Sequence, residues 1–143
     1  RLLIELAVYE KDPDAVKITE KDLLEDGFRD NPRYECFIAE INSEIVGLAF
    51  YTPRYSTWDG KTLHLEDLVV TEKMRGKGIG LSLYKSFLKE AKKQGVNRVE
   101  WSVLDWNKPA INFYLKSGAL IDDYSKWKIV RMNKSLIEKF LSS

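Results

Sequence analysis

The chain has 143 residues, 44% hydrophobic and 31% charged, with a net charge of +1, as expected of an ordinary soluble globular domain with a sizeable core. That balance excludes a general electrostatic attraction to nucleic acid or to an acidic membrane surface. One cysteine excludes an intrachain disulfide and a cysteine zinc site, and no apolar run approaches the ~20 residues that a membrane helix needs.

Arg1 to Tyr9 sets Leu2, Leu3, Leu6 and Ala7 on one stripe and reads as the later part of a helix, interrupted by Pro13. Thr19 is an N-cap for a short second helix, with Glu20 and Asp22 in its first turn and Gly27 as its stop. Glu35 to Glu40 and Ile45 to Tyr55 are β-branched and aromatic, and Asn42-Ser43 between them signals a hairpin. Cys36 lies in the apolar run Cys36-Phe37-Ile38-Ala39, which predicts a buried structural thiol rather than a nucleophile. Leu63 to Thr71 is a third strand. His64 alternates there with Leu63 and Leu65 and reads as an ordinary strand residue; a single histidine supports no metal site.

Gly78 to Lys93 predicts an amphipathic helix with Leu81, Tyr84, Leu88 and Ala91 inward, ended by Gly95. Arg98 to Leu104 is another strand. Lys108 to Ser117 is a short helix capped by Asn107, with Pro109 in its first turn and Gly118 after it. Lys126 to Met132 is a last strand, and Asn133 caps a terminal helix. The order is α-α-β-β-β-α-β-α-β-α, a mixed α/β fold expected to form one domain over residues 1–143. Hairpins come first and a right-handed parallel crossover follows.

Chemistry concentrates after the third strand. Arg75-Gly76-Lys77-Gly78-Ile79-Gly80 leads from a strand straight into a helix. A glycine-rich turn there exposes backbone N–H groups at the positive end of the helix dipole and suits a pyrophosphate. It is not a Walker A loop, because Gly76-Lys77 is followed by glycine, and G-x-G-x-G is not the G-x-G-x-x-G of a dinucleotide fold.

R-x-x-G-x-G from Arg75, then N-x-x-A-x-x-x-Y over Asn107, Ala110 and Tyr114 with Gly118 four residues on, resembles the GNAT acetyltransferase superfamily. Five segments extend the likeness: Ala7-Val8-Tyr9-Glu10, Thr19 through Phe28, Leu65-Glu66-Asp67, Trp106-Asn107-Lys108-Pro109 and Ile111-Asn112-Phe113-Tyr114. Together they are similar to the diamine (spermidine/spermine) N1-acetyltransferase branch, which includes thialysine acetyltransferases. The resemblance implies a mostly antiparallel mixed sheet splayed at its central strands, with flanking helices. The family's first strand is absent before Arg1, so a longer N-terminus is expected.

The implied reaction moves acetyl from acetyl-CoA to a primary amine of a small diamine, polyamine or thialysine-like molecule, without a metal, in a cytoplasmic homodimer. An alkylamine with pKa near ~10 is neutral in only about one molecule per thousand at pH 7, so a base is needed. Glu66 is the candidate, and Asp67 beside it would face the other way on a regular strand. The family carries a bulge here, which implies that both carboxylates contribute.

The resemblance further implies that the backbone of Leu68, Val69 and Val70 pairs with the pantetheine arm. It assigns Arg75, Gly76, Lys77, Gly78, Ile79, Gly80 and Leu81 to the pyrophosphate, and Asn107, Lys108, Pro109 and Ala110 to further contacts with acetyl-CoA. Tyr114 is the implied general acid. Tyr9, Glu10, Trp58, Trp101, Ser102 and Trp127 are implied to line the amine channel with Glu66 and Asp67. Ser56 and Ser125 stand where the family has acids, with Asp122 and Asp123 near the second, which shifts weight from polyamines toward shorter amines. Two alternatives remain. A protein lysine or N-terminal amine acetyltransferase would have an open groove, without Trp58 and Trp127 closing a channel. A non-catalytic acyl-CoA-binding module would have no use for Tyr114.

Overall fold

The computed structural model describes residues 1–122 and 128–142, in two units, Arg1–Leu104 and Asp105–Ser143. The first unit contains helices α1 (Leu2–Tyr9) and α2 (Glu20–Gly27) and strands β1 (Glu35–Ile41), β2 (Glu44–Ser56) and β3 (Gly60–Val70). Helix α3 (Ile79–Gln94) and strand β4 (Arg98–Glu100) complete it. The sheet runs β1-β2-β3-β4, antiparallel except for the parallel pair β3–β4.

Local chemistry explains several boundaries. Asp22 N–H donates to Thr19 Oγ1 at 3.2 Å and Thr19 N–H donates to Asp22 Oδ2 at 2.7 Å, a capping box that starts α2. Asn42 and Ser43 both have positive φ, 51° and 62°, the two-residue turn whose twist matches the strands it joins. Gly27 does not act as a left-handed stop. It is needed because a Cβ there would collide with the ring of Tyr34, which stacks on Phe50 at 4.2 Å and donates its hydroxyl proton to Leu23 O.

One sheet face packs on α3. Ala49, Tyr51, Leu63 and Leu65 are buried there with Leu83, Tyr84, Phe87 and Ala91, and Tyr51 meets Phe87 at 5.3 Å between centroids. The predicted inward stripe of α3 is therefore shifted: Leu81 is 43% exposed and Phe87 is fully buried. On the opposite face α1 buries Leu2 and Ala7 toward β2 and β3. Cys36 is exposed, not buried. It lies on edge strand β1, where an apolar run is covered only as far as its neighbours reach.

Strand β4 stops at Glu100 rather than Leu104. Its ladder with β3 spans only Thr62–His64 against Arg98–Glu100, and residues 101–104 carry no strand, so the pairing of β3 with β4 ends at this point. The second unit contains α4 (Lys108–Lys116) and α5 (Lys134–Leu141). Asn107 Oδ1 accepts from Ala110 N–H at 3.3 Å and Asn133 Oδ1 accepts from Leu136 N–H at 2.9 Å, the two expected caps. The strand predicted over 126–132 is not found at 128–132, where Ile129 and Val130 are exposed; residues 126 and 127 lie outside the described residues. β-branched residues record fit to a pleated, half-buried surface, and these lack one.

Candidate active site

The site starts from one extra residue. Tyr51 pairs with Leu65 and Phe50 pairs with Asp67, so Glu66 has no partner on β2 and β3 bulges there. Alternation along a regular strand would turn Asp67 to the α3 face. The bulge instead brings Asp67 to the face of Phe50, beside Glu66. Both carboxylates line a cavity of about 310 Å³ with Asp22, Asp26, Tyr34 and Phe50 among its other walls. A second cavity of about 370 Å³ shares Leu3, Ile18 and Asp67 with the first and adds Glu10 and Lys17. Four carboxylates against one guanidinium, that of Arg33, line the first cavity, which sets its electrostatic sign.

Asp67 is pushed up to about 6 from an ordinary 3.8, by burial first and then by the negative charges of Glu66 and Glu10. Burial also raises Glu10. Asp22 is lowered by its backbone and hydroxyl bonds to Thr19. His64 lies on the same face as Glu66, with Nε2 3.8 Å from Glu66 Oε1.

The turn after β3 runs through a 3₁₀ turn at Glu72–Met74 into α3. Gly76 and Gly78 have φ of 74° and 81°, and nothing lies within 4 Å of where a Cβ would stand on either. Left-handed backbone leaves the N–H groups at the start of α3 open to an anion. Such a cradle fits a pyrophosphate. Arg75 Nε–H donates to Val70 O at 3.0 Å and its guanidinium lies 4.7 Å from the Tyr9 ring centroid, so the loop touches the end of α1. Because the β4 ladder ends at His64, the edge of β3 that carries Leu68, Val69 and Val70 has no strand partner on that side among the described residues.

In the second unit, Lys108, Pro109 and Ala110 form the capped first turn of α4 and Tyr114 lies in its second, edge-on to Phe113 at 5.3 Å between centroids. Other expected channel residues are elsewhere. Trp58 occupies the β2–β3 hairpin tip, 82% exposed, where Ser56 Oγ accepts from Trp58 N–H and Asp59 N–H at 3.1 Å each. Trp101 packs edge-on against Tyr84 of α3 at 5.8 Å, and Ser102 follows it, exposed. None of these three lines either cavity. Trp127, Asp123 and Ser125 lie outside the described residues.

Sequence reasoning missed the walls contributed by Asp22, Asp26, Phe50 and Thr52. Two signals were present. Asp22 and Asp26 are four apart and share a helix face, and Phe50 and Thr52 alternate on β2.

The acetyltransferase (GNAT) family model matches residues 4–119. Thialysine N-epsilon-acetyltransferase of Bos taurus is 42% identical over 127 residues, 83% of this chain and 75% of that protein. Spermidine/spermine N(1)-acetyltransferase-like protein 1 of Homo sapiens is 39% identical over 142 residues, 94% of this chain but 20% of the human protein. The chain thus spans about a fifth of that relative's length. Among solved structures, an integron cassette protein from the mobile metagenome of V. cholerae superposes with a TM-score of 0.75 at 26% identity, over 98% of this chain and 87% of that one.

Proposed function

This chain belongs to the GNAT acetyltransferase family, and from that membership we propose that it moves acetyl from acetyl-CoA to a primary amine of a small diamine, polyamine or thialysine-like acceptor. The observation that carries the acceptor class is the bulge at Glu66, which sets two adjacent carboxylates on one cavity face with Glu10 lining the adjoining cavity. Walls with more acids than cations, and with apolar stretches from Leu3, Ile18 and Leu23, suit a methylene chain with ammonium groups. The names of the bovine and human relatives point to the same class of acceptor.

The donor side rests on the cradle of Arg75 through Leu81, with its open left-handed glycines, and the family resemblance adds Asn107 to Ala110. The β3 edge at Leu68, Val69 and Val70 offers backbone groups to an extended arm. When bound, acetyl-CoA supplies an acetyl thioester open to attack by an amine. Glu66 takes the proton that keeps the amine from attacking, directly or through water. Asp67 and Glu10 hold the distal cationic group. Tyr114 Oη holds the proton that the departing thiolate takes, which a phenol with pKa near ~10 can do.

An acetylation assay across putrescine, spermidine, spermine, thialysine, lysine and a lysine-containing peptide tests the reading. Turnover of one or more of the small amines supports it. Turnover of the peptide alone assigns a protein acceptor, and acetyl-CoA binding without turnover of any amine assigns a binding module. A two-fold homodimer in the cytoplasm belongs to the same proposal. Light scattering that gives a monomer mass at micromolar concentration would count against the dimer. Among the described residues no helix is long and apolar enough to cross a membrane.

A further inference from the structure

His64 is the only histidine in the sequence, and the roles assigned so far leave it unused. It stands on β3 two residues before Glu66, opposite Thr52 on β2 and beside Glu100 on β4. Its Nδ1 lies 3.3 Å from Arg54 Nη1. A guanidinium can only donate. Nδ1 is therefore the acceptor of that bond, and the ring proton sits on Nε2. Nε2 in turn lies 3.8 Å from Glu66 Oε1. That is outside direct hydrogen-bond range but within reach of an electrostatic contact.

Arg54 is itself held in place. Its Nη1 donates to Glu100 Oε1 at 2.5 Å, and Glu100 Oε2 accepts from Arg98 Nε–H at 3.1 Å. Arg98 also pairs with Asp59. A row of polar contacts thus crosses from the β2–β3 hairpin over β4 and β2 to β3, and ends at His64 beside the candidate base.

We propose that His64 is a positioning residue for Glu66: the Glu100–Arg54 pair sets its tautomer, and the Nε2–H so presented orients the Glu66 carboxylate for the acceptor amine. This rests on the reading of Glu66 as the group that takes the amine proton. Orientation matters because the Glu66 side chain is 51% exposed and otherwise free to sample solvent-facing rotamers. A neutral donor suits the task better than a cation. An arginine in contact with Glu66 would hold it too, but would cancel the negative field that draws a diammonium acceptor into the cavity.

Two measurements test this. First, in protein labelled with ¹⁵N-histidine the single imidazole reports its tautomer directly, a point that heavy-atom geometry only implies. The expected result is a proton on Nε2, with Arg54→Met giving a tautomer mixture. A proton on Nδ1 in the parent overturns the proposal. Second, with putrescine as acceptor, His64→Leu should lower kcat about fivefold, the scale of one partly exposed electrostatic contact. KM for acetyl-CoA should stay constant. His64→Gln, whose amide offers both an acceptor and a donor, should recover most of the loss. Arg54→Met should cost activity in the parent and nothing further in His64→Leu. A fall shared equally by His64→Leu and His64→Gln, in step with lowered Tm, marks the row as structural and overturns the proposal. Parental kcat in His64→Leu while Glu66→Gln is inactive overturns the proposal and leaves the acetyltransferase reading standing. A parent chain that acetylates no small amine overturns both.

Discussion

Glu66 and Asp67 are neighbours in sequence that line the same cavity, because β3 carries one more residue than β2 between the Tyr51–Leu65 and Phe50–Asp67 pairs. Two carboxylates so close, with Glu10 near, cannot both ionise without cost. Burial first, and then the charges of Glu66 and Glu10, raise the Asp67 carboxyl to about 6. The folded state therefore binds more protons than the unfolded chain between the ordinary value of 3.8 and about 6. Stability falls as pH rises through that window, and the full penalty is present above it. A rise from 3.8 to about 6 corresponds to about 3 kcal/mol. Asp67→Asn should raise Tm at about pH 8 and leave it nearly unchanged at about pH 4. Thermal melts giving equal shifts at both pH values would remove the burial argument.

A cation in the cavity favours the ionised form of Asp67. Binding of putrescine below about pH 6 should therefore release a proton, and affinity should fall as pH drops through that value. Calorimetry in two buffers of different ionisation enthalpy measures the released proton. Asp67→Asn should abolish the release. A parent that binds putrescine with no proton release at about pH 5.5 contradicts the assignment of Asp67 to the cation.

Much of the fold is legible because its signals are local. Thr19 and Asp22 are three residues apart, Asn42-Ser43 is a complete turn, and Asn107 caps its own helix. The site is less legible, because its decisive features are relations between strands. No residue near Glu66 announces the bulge. Only a family resemblance points to it, since alternation alone turns Asp67 the wrong way. The phase of α3 is set by the sheet beneath it, so Phe87 is buried and Leu81 is not. The link from Glu100 through Arg54 to His64 joins residues 46 and 10 apart in sequence, beyond any motif.

The glycine loop predicts a ligand effect separable from folding. Gly78 has φ of 81° with open space at its Cβ position. A bulky residue there costs roughly 1–2 kcal/mol of backbone strain and intrudes where a pyrophosphate would approach. Gly78→Val should lower Tm modestly in the absence of ligand. The rise in Tm that acetyl-CoA gives the parent should be lost in the variant. Protection of Gly78→Val equal to that of the parent would remove this loop from the donor site.

Tyr114→Phe keeps the ring, and with it the edge-on contact with Phe113, while removing the phenolic proton. If the hydroxyl protonates the departing thiolate, kcat should fall roughly 10²-fold, in the range of one acid–base group. Acetyl-CoA affinity should barely change. Single-turnover measurements isolate the chemical step, and an unchanged rate there takes Tyr114 out of the mechanism.

Glu10 separates recognition from catalysis. It lines the second cavity, which shares Asp67 with the first, so a chain reaching from Glu66 past Asp67 brings its far ammonium toward Glu10. Burial raises the Glu10 carboxyl, so a cationic partner there replaces lost hydration. Glu10 is nonetheless largely exposed to solvent, which places its contact at the low end of the charged hydrogen-bond range, about 1.5 kcal/mol or roughly tenfold. Glu10→Gln should therefore raise KM for putrescine about tenfold with kcat little changed. KM for a monoamine of equal length should scarcely move, because that ligand has no distal charge to lose. A loss confined to KM removes binding common to ground and transition states, whereas loss of the base lowers kcat. Equal effects on both amines would show that Glu10 does not read a second charge. The acceptor class would then have to be sought among molecules with one amine, with acetyl transfer itself left intact.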